Sequence, residues 1–439
     1  MGIFFGTDGI RGVVNDFLTY DLAYKCGNAV GASFIKPTIL IGGDTRTTRS
    51  FLTSAFSGGA MDARANIIDI GVCPTAGVAY LTKLFNYNFG VVISASHNPK
   101  QFNGIKVFGK DGFKLGDNKE EFLERKFINQ IKASEDDIGC YSQNYKLTNI
   151  YEDFLVNSCE TRLDGLTIVL DCSNGASYKI APRVFRRLGA KVISTYSRND
   201  GRHINDNCGS LHPEVLAKNV KKYKADMGFA FDGDADRIIA SDENGEVVDG
   251  DIIIYMLTKY LKSLGKLKKN TIVGTSHTNM GIEKALNKDE VKLIRTDIGD
   301  KYVIAKIEEQ GLSLGGEKSG HIILRDYTTT GDGILTGVKL AEMVVALKKS
   351  LGELKKVDIY PQCNIDCIVT DKIKIINSEE LSREVERQEK YLGDNSRIMV
   401  RVSGTEPKIR IMVESIDAEK ANLSASIIAK IVHSVDSEG

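Results

Sequence analysis

The chain carries no surplus of charge: 58 Lys and Arg stand against 58 Asp and Glu in 439 residues. No whole-protein field therefore favours nucleic acid or an anionic membrane, although local positive charge can still serve a small anionic substrate. No stretch approaches the ~18 apolar residues of a membrane span. Met1-Gly2-Ile3-Phe4-Phe5 lacks the basic start and long apolar region of a secretory signal, so a cytoplasmic location is expected. The eight cysteines, at 26, 73, 140, 159, 172, 208, 363 and 367, include no Cys-x-x-Cys pair. The six histidines do not join them at zinc-ligand spacing, so most of the cysteines read as small buried apolar residues. With 42% hydrophobic and 26% charged residues the composition is that of a soluble globular protein, too long for one core, and two to four domains are expected.

What the sequence does have is an acidic loop. Residues 232–236 read Asp-Gly-Asp-Ala-Asp between the apolar runs Met227–Phe231 and Ile238-Ile239. Three carboxylates this close repel one another unless a cation sits among them, and oxygen donors at alternate positions suit a hard ion such as Mg²⁺. A calcium loop of the EF-hand type is the first alternative, with Asp232, Asp234 and Asp236 at its first, third and fifth positions and Glu243 at its twelfth. That loop needs glycine at its sixth position, where Arg237 stands, and flanking helices, where these flanks read as strands leading to the hairpin signal Asn244-Gly245. A solvated acidic turn with no ligand is the second alternative.

One structural unit recurs three times. Short buried-strand runs at Thr38–Ile41, Thr167–Leu170 and Thr271–Val273 each lead into a small polar loop and a helix-length segment. Second strands follow at Ile67-Ile68, Val192-Ile193 and Leu293-Ile294, and third strands at Gly90–Ile93, Met227–Phe231 and Leu312–Leu314. Such alternation predicts parallel βαβ units with right-handed crossovers. After the third strand comes Ser94-Ala95-Ser96-His97-Asn98-Pro99 in the first unit, the three-aspartate loop in the second, and Gly316-Glu317-Lys318-Ser319-Gly320-His321 in the third. A further apolar run follows each loop, near Lys106, Arg237 and His321. Ligands of open α/β sheets lie beyond the carboxyl ends of strands, so three equivalent loops would build one cleft. The expected architecture is α/β: three similar units with mixed sheets around that cleft, at 1–145, 146–249 and 250–362, plus a small α+β domain at 363–439. Helices are expected at 252–264 and, as an amphipathic helix, at 334–349.

Ser96 is the leading nucleophile. It has no legible Ser-His-Asp partners and no Gly-x-Ser-x-Gly elbow, but a metal across the cleft could offset the charge of a phosphoryl group on its hydroxyl. His97 and Lys106 flank its loop. In the last domain Ser403-Gly404-Thr405-Glu406-Pro407 lies between strand runs and beside Arg401 and Arg410, which are the parts of a phosphate cradle. An ordinary polar hairpin is the alternative there. Phe5–Gly12 is a glycine-rich loop with one cation, Arg11, and lacks the Gly-Lys-Ser/Thr ending of a nucleotide loop.

Five motifs in order resemble the α-D-phosphohexomutase superfamily, most closely its bacterial phosphoglucosamine mutase branch. They are Gly-Thr-Asp-Gly-Ile-Arg-Gly at 6–12, the Ser96 loop, Asp-Gly-Asp-Ala-Asp-Arg at 232–237, the loop from Gly316 to His321, and Ser-Gly-Thr-Glu-Pro at 403–407. The resemblance implies a heart-shaped, four-domain isomerase that interconverts glucosamine 6-phosphate and glucosamine 1-phosphate. It implies a phosphoserine at Ser96, Mg²⁺ held by Ser96, Asp232, Asp234 and Asp236, and a sugar 1,6-bisphosphate as intermediate and activator. Glu317 and Ser319 match the family's sugar-recognition loop. Arg401, Ser403, Gly404, Thr405 and Arg410 match its site for the non-reacting phosphate. Arg11, His97, Lys106, Arg237 and His321 match polar residues near the transfer, with Lys106 and His321 as proton-transfer partners. The implied partner is a small sugar phosphate, with neither nucleic acid nor membrane, and the protein is expected as a monomer or homodimer.

Lys318 departs from the pattern, since phosphoglucosamine mutases usually carry Gln there and hexose-phosphate mutases Met. Pointing inward, its ammonium would oppose a cationic amino sugar. The alternatives are a phosphoglucomutase/phosphomannomutase acting on neutral hexose phosphates, a Mg²⁺ phosphatase using Asp232 as nucleophile, and a calcium-binding interaction protein.

Overall fold

A common four-strand core underlies each repeat in the computed structural model, which describes residues 4–6, 8–403 and 406–437. In the first sheet the strands run in the order Ile10–Val13, Phe102–Gly109, Phe89–Ile93, Thr38–Gly43, Asn66–Val72, Tyr141–Gln143. The second runs Val247–Val248, Ile238–Asp242, Met227–Phe231, Thr167–Asp171, Lys191–Thr195, and the third Lys292–Thr296, Thr271–Thr275, Leu314–Gly316, Ile322–Leu324. Three strands of each core are parallel, and the strand after the loop returns antiparallel to the one before it. Each functional loop is thus a hairpin connection at the carboxyl end of a buried parallel strand, so the three cores deliver chemically different loops in equivalent positions.

Several expectations shift. The third strand of the third unit lies at Leu314–Gly316, not 312–314. A side chain on Gly315 would come within 2.8 Å of Ile307 and of the Val273 carbonyl, so glycine is what allows that strand to pack. The glycine-rich segment near Arg11 is in part an edge strand, Ile10–Val13, with Arg11 opposite Gly104. The loop 232–236 joins two strands, not two helices, which removes the EF-hand reading. The helix expected at 334–349 spans Gly333–Leu347, and everything from Gly333 to Val344 is buried, so it is not amphipathic. Its two charges, Lys339 and Glu342, sit one turn apart at 3.0 Å and neutralise each other, and Glu342 also accepts from Glu160 N and Tyr260 Oη.

The chain forms two compact units, one of Met1–His277 with Lys292–Lys356 and one of Thr278–Val291 with Val357–Gly439. The second holds an antiparallel sheet ordered Gln362–Ile368, Lys408–Ser415, Ser396–Val402, covered by Glu379–Leu392 and Ala418–Ser437. Helix Met280–Lys288 belongs to it through the buried Glu414, whose carboxylate accepts from Met280 N at 2.9 Å and from Arg397 at 2.7 Å. Among the described residues no helix is long and apolar enough to cross a membrane.

Candidate active site

Ser96 sits at φ +51°, a left-handed conformation that costs a non-glycine residue energy and needs support. Arg46 supplies it. Almost wholly buried, it donates to the carbonyls of Ser96 (3.0 Å), Asn98 (2.7 Å), Pro99 (2.6 Å) and Phe102 (2.8 Å), while Asp44 holds its Nε at 3.0 Å. Asp44 also accepts from Ser94 Oγ at 2.6 Å, and Ser94 Oγ accepts from Ser96 N at 2.9 Å. From the second repeat, Asn205 donates to the carbonyls of Ser96 (2.8 Å) and Asn98 (3.1 Å). This web closes a loop whose backbone polar groups would otherwise be buried unpaired.

The three-aspartate loop presses against it. A Cβ on Gly233 would lie 2.5 Å from the Ser96 carbonyl, so glycine is required for the approach. Ser96 Oγ donates to Asp232 Oδ2 at 2.5 Å, and His97 Nδ1 lies 3.3 Å from the same hydroxyl. Asp234 Oδ2 accepts from Thr75 Oγ1 (2.6 Å) and from Lys106 Nζ (2.9 Å), and Lys106 also reaches Asp236 (3.3 Å) and Asp8 (3.1 Å). Burial pushes the Asp232 carboxyl well above its usual range, with Asp236 and Asp234 pushing the same way. For Asp236 burial is outweighed by Lys106, His321 and Arg237, which hold it well below. Burial opposes the Lys106 charge, yet Asp234, Asp8 and Asp236 keep it an ammonium. Burial, Arg237 and Arg11 push His97 down to about 4, so its ring is neutral at pH 7.

The residues fit a hard divalent ion. One oxygen from each of Asp232, Asp234 and Asp236 lies within 4.8 Å of the others, and Asp234 Oδ1 and Asp236 Oδ1 are buried with no hydrogen-bond partner. Orphaned carboxylate oxygens in a buried site are costly, and a bound cation would satisfy them.

The third loop joins through backbone contacts: Arg237 and His321 form a bridge, Ile238 N donates to Gly320 O (3.0 Å) and Gly250 N to Lys318 O (3.0 Å). His321 Nδ1 faces Asp236 at 3.8 Å. Burial disfavours an imidazolium there, but Asp236, Asp300 and Glu317 together outweigh it and raise the His321 pKa. Gly331 N donates to Nε2 at 3.0 Å, which needs a lone pair on that atom, so the neutral form of the ring carries its proton on Nδ1 and a second proton would displace this bond. Glu317 accepts from Gly299 N at 3.0 Å, and Ser319 is exposed. Lys318 is half-buried and its charge acts on Asp249, the N-cap of helix Gly250–Ser263. Arg11 pairs with Asp8 and donates to Asn98 Oδ1 at 3.3 Å.

In the other unit Arg401 and Arg410 are cross-strand neighbours in register. Arg410 binds Glu406 at 2.9 Å, its buried Nε has no hydrogen bond but faces Asp366 at 3.9 Å, and burial and Arg410 lower the Arg401 pKa. Ser403 is buried and its Oγ accepts from Glu406 N at 3.3 Å. Gly404 and Thr405 lie outside the described residues.

Four consecutive family models match: phosphoglucomutase/phosphomannomutase alpha/beta/alpha domains I, II and III at residues 2–134, 147–245 and 249–360, and the C-terminal domain at 365–431. A phosphoglucosamine mutase of Carboxydothermus hydrogenoformans is 43% identical over 98% of this chain and 99% of its own. The chain belongs to the phosphohexomutase superfamily. Within it the chain falls among the bacterial phosphoglucosamine mutases, as a second such relative, from Bacillus velezensis, is 42% identical over 100% of this chain and 99% of its own. It is therefore an enzyme of the isomerase class. A phosphoglucomutase/phosphomannomutase family protein of Burkholderia thailandensis shares the fold at TM-score 0.84 and 22% identity, covering 99% of this chain and 97% of that one. An Aspergillus fumigatus N-acetylphosphoglucosamine mutase, solved with GlcNAc-6P and magnesium, shares it at TM-score 0.69 and 16% identity, covering 99% and 96%.

Residue-by-residue reading missed Arg46, Asp44, Asn205, Thr75, Asp8, Lys114 and Asp300. The first two stood in view as the polar loop after the first strand, and only their equivalence to the other post-strand loops could have flagged them. Lys114 pairs with both Asp8 and Asp300, from opposite sides of the repeat.

Proposed function

We propose that the protein interconverts glucosamine 6-phosphate and glucosamine 1-phosphate through a phosphoserine at Ser96 and a sugar 1,6-bisphosphate. The observation that carries this is the Ser96 hydroxyl set 2.5 Å from Asp232 beside two orphaned carboxylate oxygens of Asp234 and Asp236. Asp232, Asp234, Asp236 and Ser96 would hold Mg²⁺, which when bound supplies counter-charge to the transferring phosphoryl group.

In the first half-reaction the P–Oγ bond at Ser96 breaks and a P–O1 bond forms on glucosamine 6-phosphate. The O1 proton passes to the protein and Ser96 Oγ regains one. After the sugar turns over, its O6 phosphoryl moves to Ser96 Oγ and the 1-phosphate leaves. Lys106, held as an ammonium by three carboxylates, is a weak acid that would direct its charge and N–H at the leaving Ser96 oxygen and give its proton only to an alkoxide there. His321 would exchange its Gly331 hydrogen bond to accept one. Glu317 and Ser319 would hold ring hydroxyls, and Arg401, Ser403, Thr405 and Arg410 the phosphate that does not react. Arg11, His97 and Arg237 would surround the transfer. Four domains divide near 145, 249 and 362 in this reading, and the enzyme works in the cytoplasm.

The test is turnover on glucosamine 6-phosphate, glucose 6-phosphate and mannose 6-phosphate, with wild type and Ser96→Ala. The proposal expects glucosamine 6-phosphate to be preferred and the variant to be inactive. Equal or better turnover on the neutral sugars would replace the substrate, and an active Ser96→Ala would sink the mechanism.

A further inference from the structure

We propose that a cleft behind the Ser96 and metal loops binds a small phosphate-bearing metabolite, at a place separate from the reacting centre. The cleft measures about 270 Å³, near the lower end of the roughly 300–1,000 Å³ usual for small-molecule sites. That suits inorganic phosphate or a compact phosphate ester rather than a polymer. It is lined by Arg49, Lys179 and Arg183, the hydroxyl-bearing Tyr145 and Tyr178, and a single carboxylate, Glu152.

The charges on these walls are unevenly matched. Glu152 is buried and pairs with Arg183 at 3.2 Å and, outside the lining, with Arg187 at 3.1 Å, which Asp153 also holds at 2.7 Å; within the cleft one carboxylate therefore faces Arg49, Lys179 and Arg183. Lys179 is exposed and makes no ion pair among the described residues. Arg49 Nη1 is buried without a hydrogen-bond partner. Its nearest carboxylate, Asp69 Oδ1, stands off at 3.7 Å, and Asp69 already accepts from Gly71 N (2.7 Å) and Tyr141 Oη (2.7 Å). An orphaned guanidinium nitrogen beside two further cations is a donor set for phosphate oxygens, which take forked bonds from Arg and a point charge from Lys.

The walls belong to the elements that hold the active loops. Arg49 N donates to Arg46 O at 2.9 Å, directly behind the guanidinium that clamps the Ser96 loop. On the other wall Ala176 N donates to Gly233 O at 2.8 Å, within the metal loop. Both sides of the cleft are therefore one hydrogen bond from the catalytic backbone.

Calorimetric titration of the full-length enzyme with inorganic phosphate and, separately, with ADP tests the inference. Comparison uses Lys179→Glu/Arg183→Ser, with Lys179→Glu alone as the milder variant, since its side chain is exposed. Wild type should show a class of phosphate site beyond the one weakened by Arg401→Ala. Lys179→Glu/Arg183→Ser should bind at least about tenfold more weakly in that class alone, while its turnover on glucosamine 6-phosphate stays at the wild-type value. ADP much tighter than phosphate would mark the ligand as a nucleotide; equal affinity would mark it as phosphate itself or a simple ester, and either supports the site. Identical titrations for wild type and both variants, or loss of all phosphate binding in Arg401→Ala, would overturn it.

Discussion

Two clusters of like charge, one in each compact unit, make an instructive pair. The first gathers Asp232, Asp234 and Asp236, all at or below 5% exposure, and meets its repulsion partly from within, through Lys106 and Arg237. The second sets Arg401 opposite Arg410 on neighbouring strands, with Arg410 39% exposed and relieved by Glu406 at 2.9 Å and, from the third strand, by Asp366 at 3.9 Å. Like charges directly opposed on neighbouring strands destabilise a sheet, and buried carboxylates without counter-charge cost more. In the proposed function an opposite charge would complete each: a divalent cation in one, a phosphate in the other. The difference is in burial. A buried cluster can hold an ion in fixed geometry and stabilise a transition state, whereas a half-exposed one, screened by water and salt, serves chiefly to bind.

That contrast can be broken experimentally. Ser96→Ala should abolish turnover, by about 10⁴-fold or more, because the covalent route is gone. Asp234→Asn should lower kcat by about 10²–10³-fold and weaken Mg²⁺ binding in a direct titration, as loss of a metal clamp does. In metal-free protein the same substitution should change the melting temperature little, since relief of carboxylate crowding offsets the weakened Lys106 pair, which Asp236 and Asp8 still hold. A much lower one would show that the cluster is structural. Arg46→Ala, which strands the buried Asp44 and four loop carbonyls, should cost about 3–5 kcal/mol in denaturant unfolding. By contrast Arg410→Ala should raise KM about tenfold, worth roughly 1.4 kcal/mol, with kcat little changed; a kcat effect as large as that of Asp234→Asn would erase the distinction between the clusters. Smallest of all, Lys318→Gln should shift the preference for glucosamine over glucose phosphate by less than about threefold, because the half-buried Lys318 side chain is partly screened by solvent.

Much of this was legible in the sequence, and the parts that were not share a cause. Strand runs and the loops after them could be read because buried parallel strands are short apolar stretches closed by polar turns. The acidic loop announced itself because its repulsion is local in the chain. Lys106, Arg46 and Asn205 did not reveal their contacts, because their partners are distant: Lys106 lies 128 residues from Asp234 and Asn205 109 residues from Ser96. The helix Gly333–Leu347 was misread as amphipathic because Lys339 and Glu342 look like a solvated face until they are seen to pair with each other. Helix Met280–Lys288 carries no sequence sign that it packs on Glu414, 134 residues away.

The central claim is that Ser96 carries the phosphoryl group. Incubating the enzyme with Mg²⁺ and glucose 1,6-bisphosphate labelled in its phosphates, then mapping the label by peptide mass analysis, tests it most directly. The account predicts label on the peptide containing Ser96, discharged by glucosamine 6-phosphate and absent in Ser96→Ala. Label on Asp232, or turnover continuing in a protein that takes no label, would contradict it.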